Sequence, residues 1–355
     1  RSFLSNLFII SIVNNAFKYG HNALNQEVSP NTLAWINDRC KDEPKERFAL
    51  CLYLSRLARF LLLSRANDHK SVILDTGTIE MNNALFLVGN LHEKEIEGEP
   101  KSLRDMTPIM GRIGQLQFPF QVDRRDIMGR VYLLFIEIPK ALGLPYNFDD
   151  KMKEYFGLDV YQFIASGFAT WMMSTGVLKY QLTIEINALK DFVTAETLNK
   201  FVELSSGTPE DYRRYVRGDD WTTINKLLDI HSLDPFYKMP AVRVGKSGKL
   251  EEGQYVVPQP LYLLHRASLG IFYLLGDKER DIAFAQGKTG KNEFRDAFGN
   301  VYREYIGRQL KQVKTPTLFI DLDEEIGTEI KKPDFAIIKD GTCVLFEVKT
   351  AFLTL

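Results

Sequence analysis

The sequence contains 355 residues, enough for two or three domains, and its 45 lysines and arginines are balanced by 46 aspartates and glutamates. The resulting net charge of −1 excludes a uniformly basic surface, so any nucleic-acid contact must use a local patch. An apolar fraction of 45% and a charged fraction of 26% are typical of an ordinary globular protein.

The cysteines and the apolar runs narrow the protein class further. The three cysteines have neither metal-ligand spacing nor the pattern of a disulfide framework, which predicts a reduced, cytoplasmic protein. No apolar run reaches the roughly 18–20 residues of a membrane span, because Arg56 and Arg59 interrupt the best candidate, residues 48–63. We therefore predict a buried helix there and no membrane association.

The first 285 residues read as an α-rich body. Residues 1 to about 66 have a helical pattern, whereas three segments within residues 71–122 (SVILDTGTIE, NALFLVGN and QLQFPFQV) predict a β-containing insert. Helices are predicted over residues 126–142, 151–174, 182–204 and 261–275, with a loop or linker at 245–253. Thr208 is expected to cap a short helix that starts with Pro209, and Gly276 to end or bend the helix at 261–275. We expect this body to hold a homo-oligomer or to bind a partner protein.

A further helix is predicted over about residues 292–313, and basic residues cluster on it and around it. The candidate nucleic-acid-binding residues are Lys288, Lys291, Arg303, Lys311 and Lys314. Spacing of 3.6 residues per turn puts Arg303, Lys311 and Lys314 on roughly one side, which would suit the phosphate backbone of DNA. An ordinary solvated helix face is the alternative.

The strongest local pattern is PDFAIIKDGTCVLFEVKT, residues 333–350, in which two apolar runs flank Asp340-Gly341. An Asp-Gly pair between such runs predicts a β-hairpin with a type I′ turn. Pairing outward from this turn puts Lys339 opposite Thr342 and Asp334 opposite Glu347. Lys349 lies two residues beyond Glu347 and shares its face of the strand.

Two opposed carboxylates destabilise a sheet unless something compensates them. A divalent cation is the simplest compensation, and Mg²⁺ is the cation that suits one or two carboxylates with water and phosphate as further ligands. Lys349 could then polarise a water molecule or stabilise charge on a phosphate. A solvent-facing edge hairpin whose charges only maintain solubility is the alternative. Asp321, Asp323, Glu324 and Glu325, on or just after the preceding strand, could be outer-sphere helpers, with a solvated loop as the other interpretation.

Pro333-Asp334 followed by Glu347-Val348-Lys349 resembles the signature of the PD-(D/E)XK nuclease superfamily. The resemblance implies a mixed sheet flanked by helices, with Asp334, Glu347 and the carbonyl of Val348 as ligands of Mg²⁺ or Mn²⁺ and Lys349 as the catalytic lysine. Glu304 is the nearest acid to a helical glutamate found in many members. Because that fold continues beyond its third strand, the module over residues 286–355 is expected to be incomplete at its C-terminus.

We therefore expect an α+β protein, with a large α-rich N-terminal body and a C-terminal restriction-endonuclease-like module. The expected function is metal-dependent cleavage of DNA by an endonuclease, in a bacterial restriction or anti-phage defence role. One alternative is a nuclease-like protein that binds nucleic acid, or acts as a scaffold, without cutting. Others are an RNA nuclease and an aspartic protease built on Asp75 in VILDTGT, although only one copy of that motif is present.

Overall fold

The computed structural model describes part of the chain, in segments separated by gaps. These segments are residues 57–58, 83–84, 86–88, 124–174, 193–217, 235–244, 254–287, 292–312, 318–327 and 332–349. They form helices and two small three-stranded sheets, which confirms the predicted α+β class. Within the same segments, no helix is both long enough and apolar enough to cross a membrane.

The elements follow one another in a mainly helical order. The helices are α1 (Arg124–Tyr132), a π-helical segment π1 (Leu133–Glu137), α2 (Ile138–Leu142), α3 (Phe148–Phe156), α4 (Val160–Ser174), α5 (Ala195–Leu204), α6 (Pro209–Arg217), α7 (Pro235–Lys238), α8 (Leu261–Ala285), α9 (Glu293–Lys311) and α10 (Leu322–Ile326). The strands are β1 (Ser206–Gly207), β2 (Ala241–Val244), β3 (Gln254–Val256), β4 (Leu318–Asp321), β5 (Phe335–Lys339) and β6 (Thr342–Phe346).

The chain divides into two compact units. One unit comprises residues 1–124, 161–270 and 355, and the other comprises residues 125–160 and 271–354. The predicted domain boundary after residue 285 falls inside the second unit. The C-terminal hairpin therefore belongs to the same unit as helices α1 to α3, about 200 residues earlier in the chain.

The first unit contains a small mixed sheet in which β2 lies between β1, its parallel neighbour, and β3, its antiparallel neighbour. The last pair of β2 and β3 is Val244 with Gln254, and the loop or linker predicted at 245–253 lies outside the described residues. In this unit α4 approaches α8 closely at Gly167, where a Cβ atom would lie only 2.4 Å from that of Ala267.

The second unit is built on a cluster of buried aromatic rings that fixes α9 in place. The ring centroid of Phe298 lies 5.5 Å from that of Phe135 in π1 and 4.8 Å from that of Phe272 in α8. Phe294, one turn earlier on α9, packs edge-on against Phe148 of α3 at 6.0 Å. Burial of several large rings is the main stabilising contribution expected for such a helix. The core thus determines which face of α9 is turned toward the sheet.

The second sheet is an antiparallel meander in the order β4-β5-β6. Asp321, the last residue of β4, pairs with Phe335, the first residue of β5. The β5–β6 ladder ends with the pair Phe335 and Phe346. The ends of all three strands therefore meet at one edge of the sheet, and the residues next to that edge carry most of the charged groups of the candidate site.

Two predicted helices are interrupted where the sequence carries a stop or start signal. The helix over residues 151–174 is wrong as a single element, because Gly157 adopts the left-handed conformation (φ 70°) that ends α3. The helix over 182–204 is wrong at Thr194, which is extended and accepts a hydrogen bond from the Thr197 amide at 3.1 Å as the cap of α5. The predicted cap at Thr208 is confirmed, since its hydroxyl accepts from the Asp211 amide at 3.3 Å in the first turn of α6.

Other predictions differ from the structure for tertiary reasons. Gly276 does not end its helix, since α8 continues through it and is 25 residues long. The glycine provides room for Phe294, whose ring would lie 3.3 Å from an added Cβ. Residues 83–84 and 86–88 are helical, so the strand predicted at NALFLVGN is wrong there. A short apolar run does not by itself distinguish a strand from a buried helix. Leu57 and Ala58 are helical and buried, as predicted for residues 48–63.

Candidate active site

The hairpin that carries the predicted trio has the predicted register. Lys339 pairs with Thr342 and Phe335 pairs with Phe346. Asp340 and Gly341 both have positive φ, at 48° and 76°, as a type I′ turn requires. Beyond the last pair, the Asp334 amide donates to the Phe346 carbonyl at 2.8 Å. Asp334 and Glu347 are thus the residues next to the last pair, at neighbouring strand ends, but the Asp334 amide bonds one residue short of Glu347, so the predicted Asp334–Glu347 pair is not part of the ladder.

Asp334 is held by both of its carboxylate oxygens. Its Oδ1 accepts a hydrogen bond from Arg303 Nε of α9 at 3.1 Å, and its Oδ2 accepts one from the Val348 amide at 2.6 Å. The contact recorded for Val348 thus uses its N–H group, next to the carbonyl predicted as a metal ligand. Asp334 is oriented by a helix on one side and by the end of β6 on the other.

Glu347 and Lys349 form an ion pair at the exposed end of β6, between Oε1 and Nζ. The hydrogen bond to Glu347 and the charge of Glu347 raise the pKa of Lys349, and the charge of Asp334 raises it further. Lys349 therefore responds to both predicted carboxylates, and its amine carries a proton at neutral pH. A protonated amine is suited to stabilising negative charge rather than to accepting a proton.

Arg303 is the residue whose position the sequence did not reveal. Its guanidinium contacts three aspartates: Nη2 lies 2.5 Å from Asp321 Oδ1 and 2.9 Å from Asp323 Oδ2, while Nε bonds to Asp334. The Arg303 guanidinium also stacks over the aromatic ring of Phe335, whose centroid lies 4.7 Å from the guanidinium carbon. Burial would lower the pKa of Arg303, but the bond to Asp321 and the charges of Asp321 and Asp323 raise it above its usual value.

The acidic segment after β4 is a capped helical turn rather than a solvated loop. Asp321 Oδ1 accepts from the Asp323 amide at 3.0 Å and caps α10. Asp323 also pairs with Lys332 at 2.9 Å. The clue in the sequence was the group of four acids on and directly after the predicted strand.

Glu304 lies in a separate ion-pair cluster. Its Oε1 pairs with Arg308 Nε at 2.8 Å, and Arg308 Nη1 reaches Glu137 of π1 at 2.7 Å. This geometry gives Glu304 a role in joining α9 to π1, and the contacts recorded for it do not include Asp334. Its predicted place in the acidic cluster remains a prediction.

The predicted basic face is only partly described. Arg303 is turned into the aspartate cluster, and the Lys311 ammonium lies 5.2 Å from the ring centroid of Phe319. Lys288, Lys291 and Lys314 lie outside the described residues, as does Asp75 of the alternative protease motif. In the described part of the chain, Arg303, Arg308 and Lys311 of α9 thus make contacts within the protein.

The donor chemistry of the hairpin fits Mg²⁺ in part. In the described segments, no three His, Cys, Asp or Glu side chains converge in a way that could hold a metal ion. Asp334 and Glu347 offer hard carboxylate oxygens, and each oxygen of Asp334 accepts one hydrogen bond and keeps a second lone pair. Two carboxylates with water and phosphate as the remaining ligands is a usual mode for Mg²⁺. Arg303, however, already provides a positive charge at Asp334.

Comparison of the chain with models of protein families, with curated proteins and with solved structures finds no match.

Proposed function

We propose that the chain is a metal-dependent nuclease of the PD-(D/E)XK class that hydrolyses phosphodiester bonds in DNA. The observation that carries the proposal is the hairpin register, which brings Asp334 and Glu347 to neighbouring strand ends with Lys349 under the influence of both charges. Helix α9, followed by the antiparallel meander β4-β5-β6, is a further feature that supports the proposal, and the mixed sheet of a restriction-endonuclease-like module remains a prediction. A role in bacterial restriction or anti-phage defence remains a prediction.

In this proposal each residue has a defined task. Asp334 and Glu347, with the carbonyl of Val348, would hold Mg²⁺ or Mn²⁺. When bound, such an ion supplies Lewis-acid chemistry, activating water and neutralising phosphate charge. The Lys349 ammonium stabilises the negative charge that develops on the phosphate. Asp334 needs little reorientation, because Arg303 and the Val348 amide already fix its carboxylate.

One observation favours a second function, that of a nuclease-like protein that binds nucleic acid without cutting it. Arg303 supplies Asp334 with the positive charge that a metal ion would otherwise provide. In such a protein the cluster of Asp321, Asp323, Asp334 and Arg303 would be a structural element of the sheet edge.

Plasmid nicking by the purified protein separates the two functions. Supercoiled DNA, and a labelled RNA in parallel, are incubated in Mg²⁺, Mn²⁺ or EDTA with wild type, Glu347→Gln, Lys349→Met and the control Arg280→Gln. Arg280 is an exposed arginine that pairs with Asp277 and Asp281 away from the hairpin. The nuclease proposal expects metal-dependent cleavage by wild type and Arg280→Gln, and loss in the two hairpin variants of about a hundredfold or more. Cleavage that survives both hairpin substitutions contradicts it, and bound but uncut plasmid favours the second function.

A further inference from the structure

The guanidinium of Arg303 has more negative partners than it needs. One positive charge faces Asp321, Asp323 and Asp334, all within 3.1 Å. The three aspartates come from β4, from α10 and from the residue before β5. Arg303 is thus the point at which helix α9 meets the edge of the sheet, and its side chain is only 24% exposed.

The three aspartates are not equivalent. Asp321 and Asp323 both bond to Nη2, Asp321 also caps α10, and Asp323 is shared with Lys332. Asp334 bonds to Nε alone. Loss of the bond to Asp334 would still leave Arg303 with two carboxylates, so Asp334 is the partner that can exchange most readily.

The charges around Asp334 indicate what it can exchange for. Four carboxylates (Asp321, Asp323, Asp334 and Glu347) face three cationic groups (Arg303, Lys332 and Lys349), which leaves a net charge of −1. A divalent cation would change this to +1, and one phosphodiester charge would then make the cluster neutral. Without Arg303 the same cluster would carry −2 and would attract a divalent cation without help from a phosphate.

We propose that Arg303 is a positioning residue that weakens the binding of a divalent cation at Asp334 and Glu347 until a phosphodiester is present. The inference rests on the proposed nuclease function, because it concerns the same two carboxylates. Its physical basis is that a positive charge within about 4–6 Å changes the affinity of a carboxylate for a proton by roughly 10- to 1,000-fold, and a metal cation competes for the same oxygens. If phosphate offsets the effect of Arg303 and strengthens metal binding, thermodynamic linkage requires that the metal strengthens phosphate binding by the same factor.

The test is a titration of the protein with Mn²⁺ alone, with free Mn²⁺ followed by electron paramagnetic resonance. We expect Arg303→Gln to bind Mn²⁺ about tenfold or more tightly than wild type. Arg303→Lys keeps the charge but loses the planar fork, so its affinity should lie between the two. Arg280→Gln removes an arginine that also pairs with two aspartates, and it should match wild type.

The controls separate failure of this inference from failure of the proposed function. Circular dichroism checks that each variant is folded, and if Arg303→Gln is not, the comparison rests on Arg303→Lys. Equal Mn²⁺ affinity in the folded Arg303 variants and in Arg280→Gln would overturn the inference. This conclusion requires that wild type binds Mn²⁺ and that Glu347→Gln does not. Mn²⁺ binding that is absent, or that Glu347→Gln leaves unchanged, would overturn the proposed metal site itself and the inference with it.

Discussion

Substitutions at Asp334 can separate its structural contacts from its chemical role. Asp334→Ala removes both hydrogen-bond acceptors and leaves the Val348 amide and Arg303 Nε without this partner. Asp334→Asn is nearly isosteric but has one acceptor oxygen, so it can keep one of the two bonds. Hydrogen bonds that involve a charged group contribute about 1.5–3 kcal/mol each, and the Asp334 side chain is 22% exposed. Partial exposure to water reduces these contributions, so we expect a loss of about 2–3 kcal/mol for Asp334→Ala, which removes both bonds, and about 1–2 kcal/mol for Asp334→Asn, which removes one.

The assay is hydrogen–deuterium exchange of peptides that cover residues 342–349, combined with plasmid nicking on the same preparations. Exchange is suitable because it reports local opening, whereas the two units of the chain need not unfold together. We expect faster exchange in Asp334→Ala than in Asp334→Asn, and loss of metal-dependent cleavage in both. Equal exchange in the two variants would refute the two-bond geometry. Wild-type cleavage by Asp334→Asn would refute the role of the charge.

Two further predictions concern the packing that supports the site. Gly307→Ala should lower the free energy of unfolding in urea by about 1–2 kcal/mol, because an added Cβ would lie 3.0 Å from the buried Phe335 ring. The cost of this steric overlap outweighs the ~1 kcal/mol by which Ala is favoured over Gly in a helix. Gly129→Ala is the matched control with open space around it, and a stabilisation of both variants would contradict the packing. Tyr146→Phe should reduce the loss of stability above about pH 10, since burial, followed by the hydrogen bond to Glu279, raises the pKa of Tyr146 above its unfolded value. That contribution is present below the unfolded pKa and lost as the pH rises toward the folded one, so identical pH profiles of stability for wild type and Tyr146→Phe would argue against it.

The hairpin could be predicted from the sequence because every signal that defines it is local. Asp340 and Gly341 determine the turn, and the turn determines the five residue pairs that follow it. The cap at Thr208 was predicted for the same reason, since the capping side chain and the amide it binds lie within three residues. Errors arose where the apolar pattern was followed past a local stop signal, as at Gly157, whose left-handed conformation ends α3.

The environment of Arg303 could not be predicted in this way, because its partners are distant in sequence. Asp321 and Asp334 lie 18 and 31 residues further along the chain, and their approach depends on how α9 packs on the sheet. The helical periodicity predicted that Arg303, Lys311 and Lys314 share one side of the helix, but it contained no information on what that side would meet. Gly276 is a similar case, since its place inside α8 follows from the ring of Phe294.

The packing of α9 explains why Arg303, and not Glu304, faces Asp334. Gly307 lies one turn after Arg303 and admits the ring of Phe335 against the helix, and the same ring supports the guanidinium from below. Residues 303 and 307 therefore share the face turned toward the sheet, as the 3.6-residue period requires. Glu304 lies about 100° around the helix, where Arg308 binds it. An arginine in this position means that the carboxylate of Asp334 is oriented and partly neutralised before any ligand arrives. In the proposed metal site, Arg303 would therefore affect both the orientation of Asp334 and its affinity for a cation, and the Arg303 variants test both effects while leaving the carboxylates in place.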